Sequence, residues 1–95
     1  MVERGRKYYN AGKYEKAEEC FRQAILADSK YVLPITYLGH TFYKMGKLVE
    51  AESAWKRAYG LDPSCEAGLD AKRKLQNLEY KRMKVLETLE ARTER

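Results

Sequence analysis

Few residues in this chain are of the types that catalyse reactions or bind metal ions. Its single histidine, His40, and its two cysteines, Cys20 and Cys65, lie far apart, and neither cysteine belongs to a Cys-x-x-Cys pair. Neither a Gly-x-Ser-x-Gly elbow nor a phosphate-binding glycine loop occurs. We therefore expect no catalytic, metal or cofactor site, a hydrogen-bonded imidazole at His40, and reduced cysteines in a cytoplasmic protein.

The tyrosines and basic residues could instead bind a partner. Tyr9 and Tyr43 lie 34 residues apart, and both fall outside the apolar stripes of the helices predicted around them. A tyrosine ring provides contact area at low entropic cost and also carries a polar tip. Together with Arg6, Lys44 and Lys74, these rings suit an extended acidic or C-terminal peptide. An alternative is RNA, whose bases would stack on the rings and whose phosphates would meet the cations.

Charge and hydropathy narrow the classes of partner. The net charge is +5, and the surplus is spread evenly along the chain, so no basic block marks a nucleic-acid site. No apolar stretch approaches the roughly 20 residues of a membrane span. A protein partner is therefore favoured over nucleic acid, and we expect no membrane contact.

The tyrosines belong to a pattern that repeats with a period of 34 residues. A fixed period of 20–50 residues is typical of repeat architectures. The residues that return unchanged are Gly5, Tyr9, Gly12, Lys13, Ala17, Glu18, Ala24 and Asp28, which recur as Gly39, Tyr43, Gly46, Lys47, Ala51, Glu52, Ala58 and Asp62.

Each repeating unit is predicted to fold as two helices joined by a tight turn. Apolar residues recur at spacings of three and four on either side of Gly12 and Gly46, and glycine can take a positive φ at a helix end. Ser64 is predicted to cap a last helix. The five helices are expected at residues 2–11, 15–28, 32–45, 49–61 and 65–92. The expected core includes Tyr8, Phe21, Leu38, Phe42 and Trp55, with small residues such as Gly5 and Gly39 allowing close helix approach.

The repeated pattern resembles a known family. Leu38-Gly39-x-x-Phe42, Gly46, Ala51, Trp55, Ala58 and Pro63 resemble a tetratricopeptide repeat (TPR), and Gly5-x-x-Tyr8, Gly12, Ala17, Phe21 and Ala24 resemble a second copy. The resemblance covers residues 1–65, as repeats at 1–31 and 32–65. It implies an all-α, right-handed superhelical stack of antiparallel helix pairs, with residues 66–95 as a long C-terminal capping helix. It also implies a non-catalytic scaffold or adaptor that holds a partner peptide or helix in its concave groove.

The same resemblance predicts which residues line that groove, because TPR arrays use outward-facing residues of the first helix in each repeat. We expect Tyr37, His40, Tyr43 and Lys44 to be at least partly accessible. The predicted groove residues are Arg6, Tyr9, Asn10, Leu33, Tyr37, His40, Tyr43, Lys44, Asp70 and Lys74, with Thr36 and Ala71 among neighbouring positions. Some family members bind a C-terminal carboxylate through a five-residue polar clamp. We do not expect that activity, because the clamp positions hold Val2, Arg6, Tyr37, Ala67 and Ala71.

The last helix carries a second candidate interface. Its apolar stripe comprises Leu75, Leu78, Val85, Leu86 and Leu89, in a heptad-like spacing interrupted by Arg82. The shorter preceding helices should leave everything after about Tyr80 uncovered. The stripe could fold back as core, pair with a second copy or a partner helix, or belong to a longer protein. We favour pairing with a second copy, either antiparallel or by helix exchange, because a bare stripe would be an unusual exposed patch.

Overall fold

The computed structural model of the chain describes residues 2–93, which fold into five helices with no strand in this range. They are α1 (Val2–Asn10), α2 (Tyr14–Ala27), α3 (Val32–Lys44), α4 (Leu48–Leu61) and α5 (Glu66–Thr93). The predicted all-α fold is confirmed, and each helix begins and ends within one residue of its predicted bounds.

The helices pack in chain order. Each helix contacts the next one, α1 also contacts α3, and α3 also contacts α5. The odd-numbered helices therefore lie side by side on one face of the molecule, which we call the groove face. The division into repeats at residues 31 and 65 stays a prediction.

Two glycine turns give the helix pairs the same geometry. Gly12 has a φ of 78° and Gly46 a φ of 79°, a backbone region that residues with a side chain rarely adopt. After each glycine, a lysine N–H donates to the carbonyl oxygen five residues earlier, at 2.8 Å for Lys13 to Tyr8 and 2.9 Å for Lys47 to Phe42. This bond closes the preceding helix and turns the chain back along it.

Small and large residues interlock at equivalent positions of the two pairs. A Cβ atom added to Gly5 would lie 2.6 Å from Cε1 of Phe21, and one added to Gly39 would collide with the indole of Trp55. The predicted close helix approach is therefore confirmed. The predicted core residues that the structure buries are Phe21, Leu38, Phe42 and Trp55.

Tyr8 and Ser64 depart from their predicted roles. Tyr8 is only half-buried: it packs against the edge of the core, and the Lys16 ammonium lies 5.7 Å from its ring centroid. Ser64 does not cap α5: its N–H and hydroxyl both donate to Oδ1 of Asp62, at 3.0 and 2.8 Å. That carboxylate also accepts the N–H of Cys65 at 3.2 Å. These hydrogen bonds, led by the Ser64 hydroxyl, lower the pKa of Asp62.

The last helix makes the molecule elongated. The structure measures 54 × 29 × 17 Å and has a radius of gyration of 15.1 Å, against roughly 12 Å for a compact domain of this length. Helix α5 has 28 residues, twice the 14 of α4. Among the described residues, no helix combines the length and apolarity needed to cross a membrane.

Candidate binding groove

A row of aromatic rings forms the floor of the groove face. Tyr9 of α1 meets Tyr37 of α3 edge to face, with ring centroids 6.4 Å apart, and Tyr37 meets His40 at 5.5 Å. Trp55 of α4 continues the row, at 5.7 Å from His40 and 5.8 Å from Tyr43. Each ring is held by its neighbours, so the row presents a preorganised surface to a ligand.

His40 joins three helices through its two ring nitrogens. The Trp55 indole N–H donates to Nδ1 at 3.1 Å, and Nε2 lies 2.9 Å from Oδ2 of Asp70 on α5. Because an indole nitrogen can only donate, Nδ1 carries no proton, and Nε2–H donates to the carboxylate. Burial lowers the pKa of His40, against the opposing effect of Asp70. The predicted hydrogen-bonded imidazole is confirmed, and its role is to position α4 and α5.

A cavity of about 180 Å³ lies between α1, α3 and α5; we call it the lysine pocket. Its lining includes three cationic side chains and no carboxylate. Among the described residues, Lys44, Lys74 and Lys81 form no ion pair. The pocket therefore carries a concentrated positive charge. The lining residues are Tyr9, His40, Tyr43, Lys44, Trp55, Lys74, Asn77, Leu78 and Lys81.

The phenol of Tyr43 lies within this charge. Nζ of Lys81 donates to its oxygen at 2.8 Å and also lies 5.4 Å from its ring centroid. That hydrogen bond and the Lys81 charge lower the pKa of Tyr43, with smaller contributions from Lys44 and Lys74. Tyr9 behaves oppositely, because burial raises its pKa.

A second cavity lies further along the groove face, near the start of α3; we call it the arginine pocket. The guanidinium of Arg6 lies 5.3 Å from the ring centroid of Tyr37. Acidic and basic side chains are mixed here, so its net field is weaker than that of the lysine pocket. The lining residues are Arg6, Leu33, Thr36, Tyr37, Glu66, Ala67, Leu69, Asp70 and Arg73.

The structure gathers nine of the ten predicted groove residues into these two pockets. Arg6, Leu33, Tyr37 and Asp70 line the arginine pocket, and Tyr9, His40, Tyr43, Lys44 and Lys74 line the lysine pocket. Asn10 is exposed and lines neither. The predicted accessibility is confirmed, since Lys44 is exposed and Tyr37, His40 and Tyr43 are half-buried.

Two neighbouring positions were predicted wrongly as groove surface. Thr36 is 1% exposed, because its hydroxyl donates to the carbonyl oxygen of Ala67 at 2.9 Å across the contact between α3 and α5. Ala71 is fully buried in the core. Both residues are small and lie where the two helices touch, so they hold the groove face together and leave little surface for a ligand.

Two residues of the lysine pocket, Asn77 and Lys81, had no predicted role in the sequence analysis. Asn77 and Lys81 continue the series Asp70 and Lys74 at spacings of three and four, which places them on the same face of α5. The helical register alone could have identified them. Lys81 was missed because α5 was expected to leave the body of the molecule near Tyr80, whereas Lys81 still contacts Tyr43.

The stripe on α5 is covered at its start and bare further on. Leu78 is 5% exposed within the core, and Leu75 packs partly against it, so Leu78 does not form a free helix interface as predicted. Val85, Leu86 and Leu89 are exposed. The guanidinium of Arg82, the residue that interrupts the apolar spacing, pairs with Oε2 of Glu52 on α4 at 2.8 Å.

Potential metal ligands do not cluster among the described side chains of the groove and its surroundings. Among these side chains, no three His, Cys, Asp or Glu residues are placed to hold a metal ion. Cys20 and Cys65 are free thiols at half-buried positions. The groove can therefore present aromatic faces, cations and hydrogen-bond donors, which are the means of binding a ligand.

One comparison with known proteins finds a family that resembles the first helix pair. Residues 1–31 match the family described as "Tetratricopeptide repeat". A search of curated proteins found no match to the chain. Residues 1–31 are thus similar to a tetratricopeptide repeat, the helical repeat that the sequence resembles, and the remaining described helices continue the first pair as a helical stack.

Proposed function

We propose that this chain is a protein-interaction module that binds an acidic segment of a partner protein along its groove face. Tetratricopeptide repeats are generally interaction scaffolds without catalytic activity, and the match over residues 1–31 supports the same role here. The free cysteines suit a reducing compartment such as the cytoplasm.

The lysine pocket is the observation that carries this proposal. Nζ of Lys81 donates to the Tyr43 phenol, Lys44 and Lys74 also lower the pKa of that phenol, and none of the lining residues is acidic. Carboxylates of a bound segment would neutralise these lysines and accept their hydrogen bonds. The aromatic row beside the pocket would contact the backbone and apolar parts of that segment.

RNA is the competing ligand, because lysines and stacked rings also suit phosphates and bases. The structure makes it the weaker candidate. Tyr37 already stacks on Phe21, with ring centroids 5.6 Å apart and planes within 19°, so one face of that ring is taken. The Tyr43 ring is likewise covered by Lys81.

Direct binding of synthetic peptides tests the proposal. The probe is a fluorescein-labelled peptide of about twelve residues that alternates Glu with Gly and Ser, and its matched control carries Gln in place of Glu. We expect the Glu peptide alone to bind. The double variant Lys44→Gln/Lys74→Gln should weaken binding about fivefold to tenfold, because each exposed ion pair contributes up to about 1 kcal/mol.

Matched variants and competitors separate the alternatives. Lys7→Gln/Lys30→Gln removes two exposed charges outside both pockets and should leave affinity unchanged within twofold. Equal weakening by both double variants would show a nonspecific charge effect and reject the proposal. Tighter binding of single-stranded RNA than of the Glu peptide, with an affinity that falls steeply with salt, would assign the groove to nucleic acid.

A further inference from the structure

We propose that the partner segment carries two bulky apolar residues, either before or after its acidic residues. Their side chains bind a second site on the distal half of α5. This inference rests on the proposed function, because it extends the lysine pocket along the same ligand. The second site is a groove of about 460 Å³, which we call the distal groove. It is lined by Tyr43, Leu48, Leu78, Lys81, Arg82, Val85 and Leu86.

The distal groove is continuous with the lysine pocket. Both are lined by Tyr43, Leu78 and Lys81, so the hydrogen-bonded pair of Lys81 and Tyr43 forms the ridge between them. A peptide that occupies one site and continues along α5 must enter the other.

The distal groove is apolar at its base. Leu78 is 5% exposed, whereas Leu48, Val85 and Leu86 are 41%, 58% and 57% exposed. Leu48 begins α4, and Leu78, Val85 and Leu86 lie on α5 and line the same groove. Apolar ligand side chains would remove this surface from water, which is the main source of affinity at such sites.

The positive charge around the distal groove favours an acidic segment of another protein over a second copy of the chain. The lining contains no carboxylate, and its cations adjoin the three lysines of the first pocket. Arg82 is paired with Glu52, which it shares with Lys56, whereas Lys81 forms no ion pair among the described residues. A second copy of the chain would bring its own Lys81, likewise without an ion pair in the described part of the chain, to this surface, and the like charge of the first Lys81 would oppose it. An acidic segment of another protein meets no such opposition.

The length of α5 sets the spacing within the ligand. Eleven to twelve helical residues separate Lys74 from Val85 and Leu86, which corresponds to about 17 Å at a rise of about 1.5 Å per residue. An extended ligand spans this distance with about five residues. The acidic residues and the apolar pair should therefore lie about five residues apart.

Four labelled peptides test the inference with the intact chain. The first carries two Glu residues and two Leu residues separated by about five positions, prepared in both orders. The second replaces Leu by Ser, the third replaces Glu by Gln, and the fourth makes both replacements. We expect the first peptide, in one order, to bind at least tenfold more tightly than the second, because burying apolar side chains contributes that much.

Variants of α5 locate the effect. Val85→Ser/Leu86→Ser should abolish the gain from leucine and leave affinity for the second peptide unchanged. Met83→Ser is the matched control, because Met83 is 60% exposed on the same helix but does not line the distal groove. It should change neither affinity.

The outcomes distinguish this inference from the proposed function. Suppose that the second peptide binds and that Lys44→Gln/Lys74→Gln weakens this binding. If leucine then adds no affinity, or if Val85→Ser/Leu86→Ser does not remove the added affinity, the inference is overturned and the proposed function stands. If no Glu-containing peptide binds, both fail. If sedimentation shows a dimer that Val85→Ser/Leu86→Ser dissociates, the distal groove belongs to a second copy and the inference is overturned.

Discussion

At the scale of single residues, His40 makes the stability of the fold depend on pH. Burial lowers its pKa in the folded chain from an ordinary value of 6.5, while Asp70 partly opposes this and Lys74 adds to it. A second ring proton would also meet the Trp55 N–H, which cannot accept a hydrogen bond. Between the lowered pKa of the folded chain and the ordinary pKa of 6.5, the unfolded chain therefore binds more protons than the folded chain.

We predict that the free energy of unfolding falls as the pH falls through about 6.5 and levels off below the lowered pKa. For one proton, the slope cannot exceed about 1.4 kcal/mol per pH unit. Urea denaturation monitored by Trp55 fluorescence between pH 7.5 and 5 measures it. His40→Gln should remove this pH dependence, since His40 is the only histidine. An unchanged slope in the variant would contradict the assignment.

Tyr43 should ionise below the ordinary pH range of a tyrosine, because the hydrogen bond from Lys81 and its charge lower the pKa of the phenol. We predict that the tyrosinate absorbance of the chain contains an early fraction that the Lys81→Met variant lacks. Lys84→Met serves as the control, since Lys84 lies 5.5 Å from the ring centroid of Tyr80 without donating to its oxygen. Identical titrations of all three proteins would show that the contact between Lys81 and Tyr43 does not persist in solution.

Individual residues also show what sequence could predict at the groove. Tyr37 and Tyr43 were placed correctly because helical register decides which face a residue occupies. Register does not reveal how close two faces lie, so Thr36 was expected at the surface although α5 covers it. Pairing between distant residues, such as Arg82 with Glu52, leaves no local signal at all.

At the scale of elements, the glycines of α1 and α3 decide how closely each helix pair packs. We predict that Gly39→Ala lowers the free energy of unfolding by about 1–3 kcal/mol, because its methyl group collides with Trp55. The shifted indole would also lose its bond to His40. Thermal or urea denaturation measures the loss.

Gly60→Ala provides the opposite result within the same fold. Nothing lies within 4 Å of a Cβ atom added to Gly60, and the residue lies inside α4. Alanine should therefore stabilise the protein by about 0.5–1 kcal/mol, through its higher helix propensity. If both substitutions had the same effect, the close approach at Gly39 would not control packing.

The existence of α5 was predictable, but its coverage was not. Its length follows from the lack of Gly and Pro after residue 69, and no rule of local sequence opposes a long helix. The other helices cover α5 only up to a certain residue. That residue depends on the tilt of α5 against α3 and α4, and this tilt is set by packing between residues that are distant in sequence. That is why Leu78 lies in the core rather than on a free stripe.

At the scale of the whole molecule, the covered start of α5 bears on self-association. The sequence predicts a homo-oligomer, either antiparallel or by helix exchange, through a stripe from Leu75 to Leu89. Leu78 lies in the core and Leu75 packs against it, so neither is available to a second copy. The part of the apolar stripe that remains exposed on α5 is about one heptad long. Stable helix pairing normally needs three to four heptads. Self-association stays a prediction, and the structure shortens the surface on which it depends.

We therefore expect the chain without a partner to sediment as an elongated monomer at tens of micromolar. Its 54 Å length should raise the frictional ratio above that of a compact protein of 95 residues. Val85→Glu/Leu86→Glu is the decisive variant, because both side chains are exposed and neither lies in the core. Leu78→Glu is unsuitable, since a buried charge would unfold the repeats. A dimer that the double variant converts to a folded monomer would restore the homo-oligomer, whereas a monomer in both proteins leaves the distal half of α5 free for a different partner.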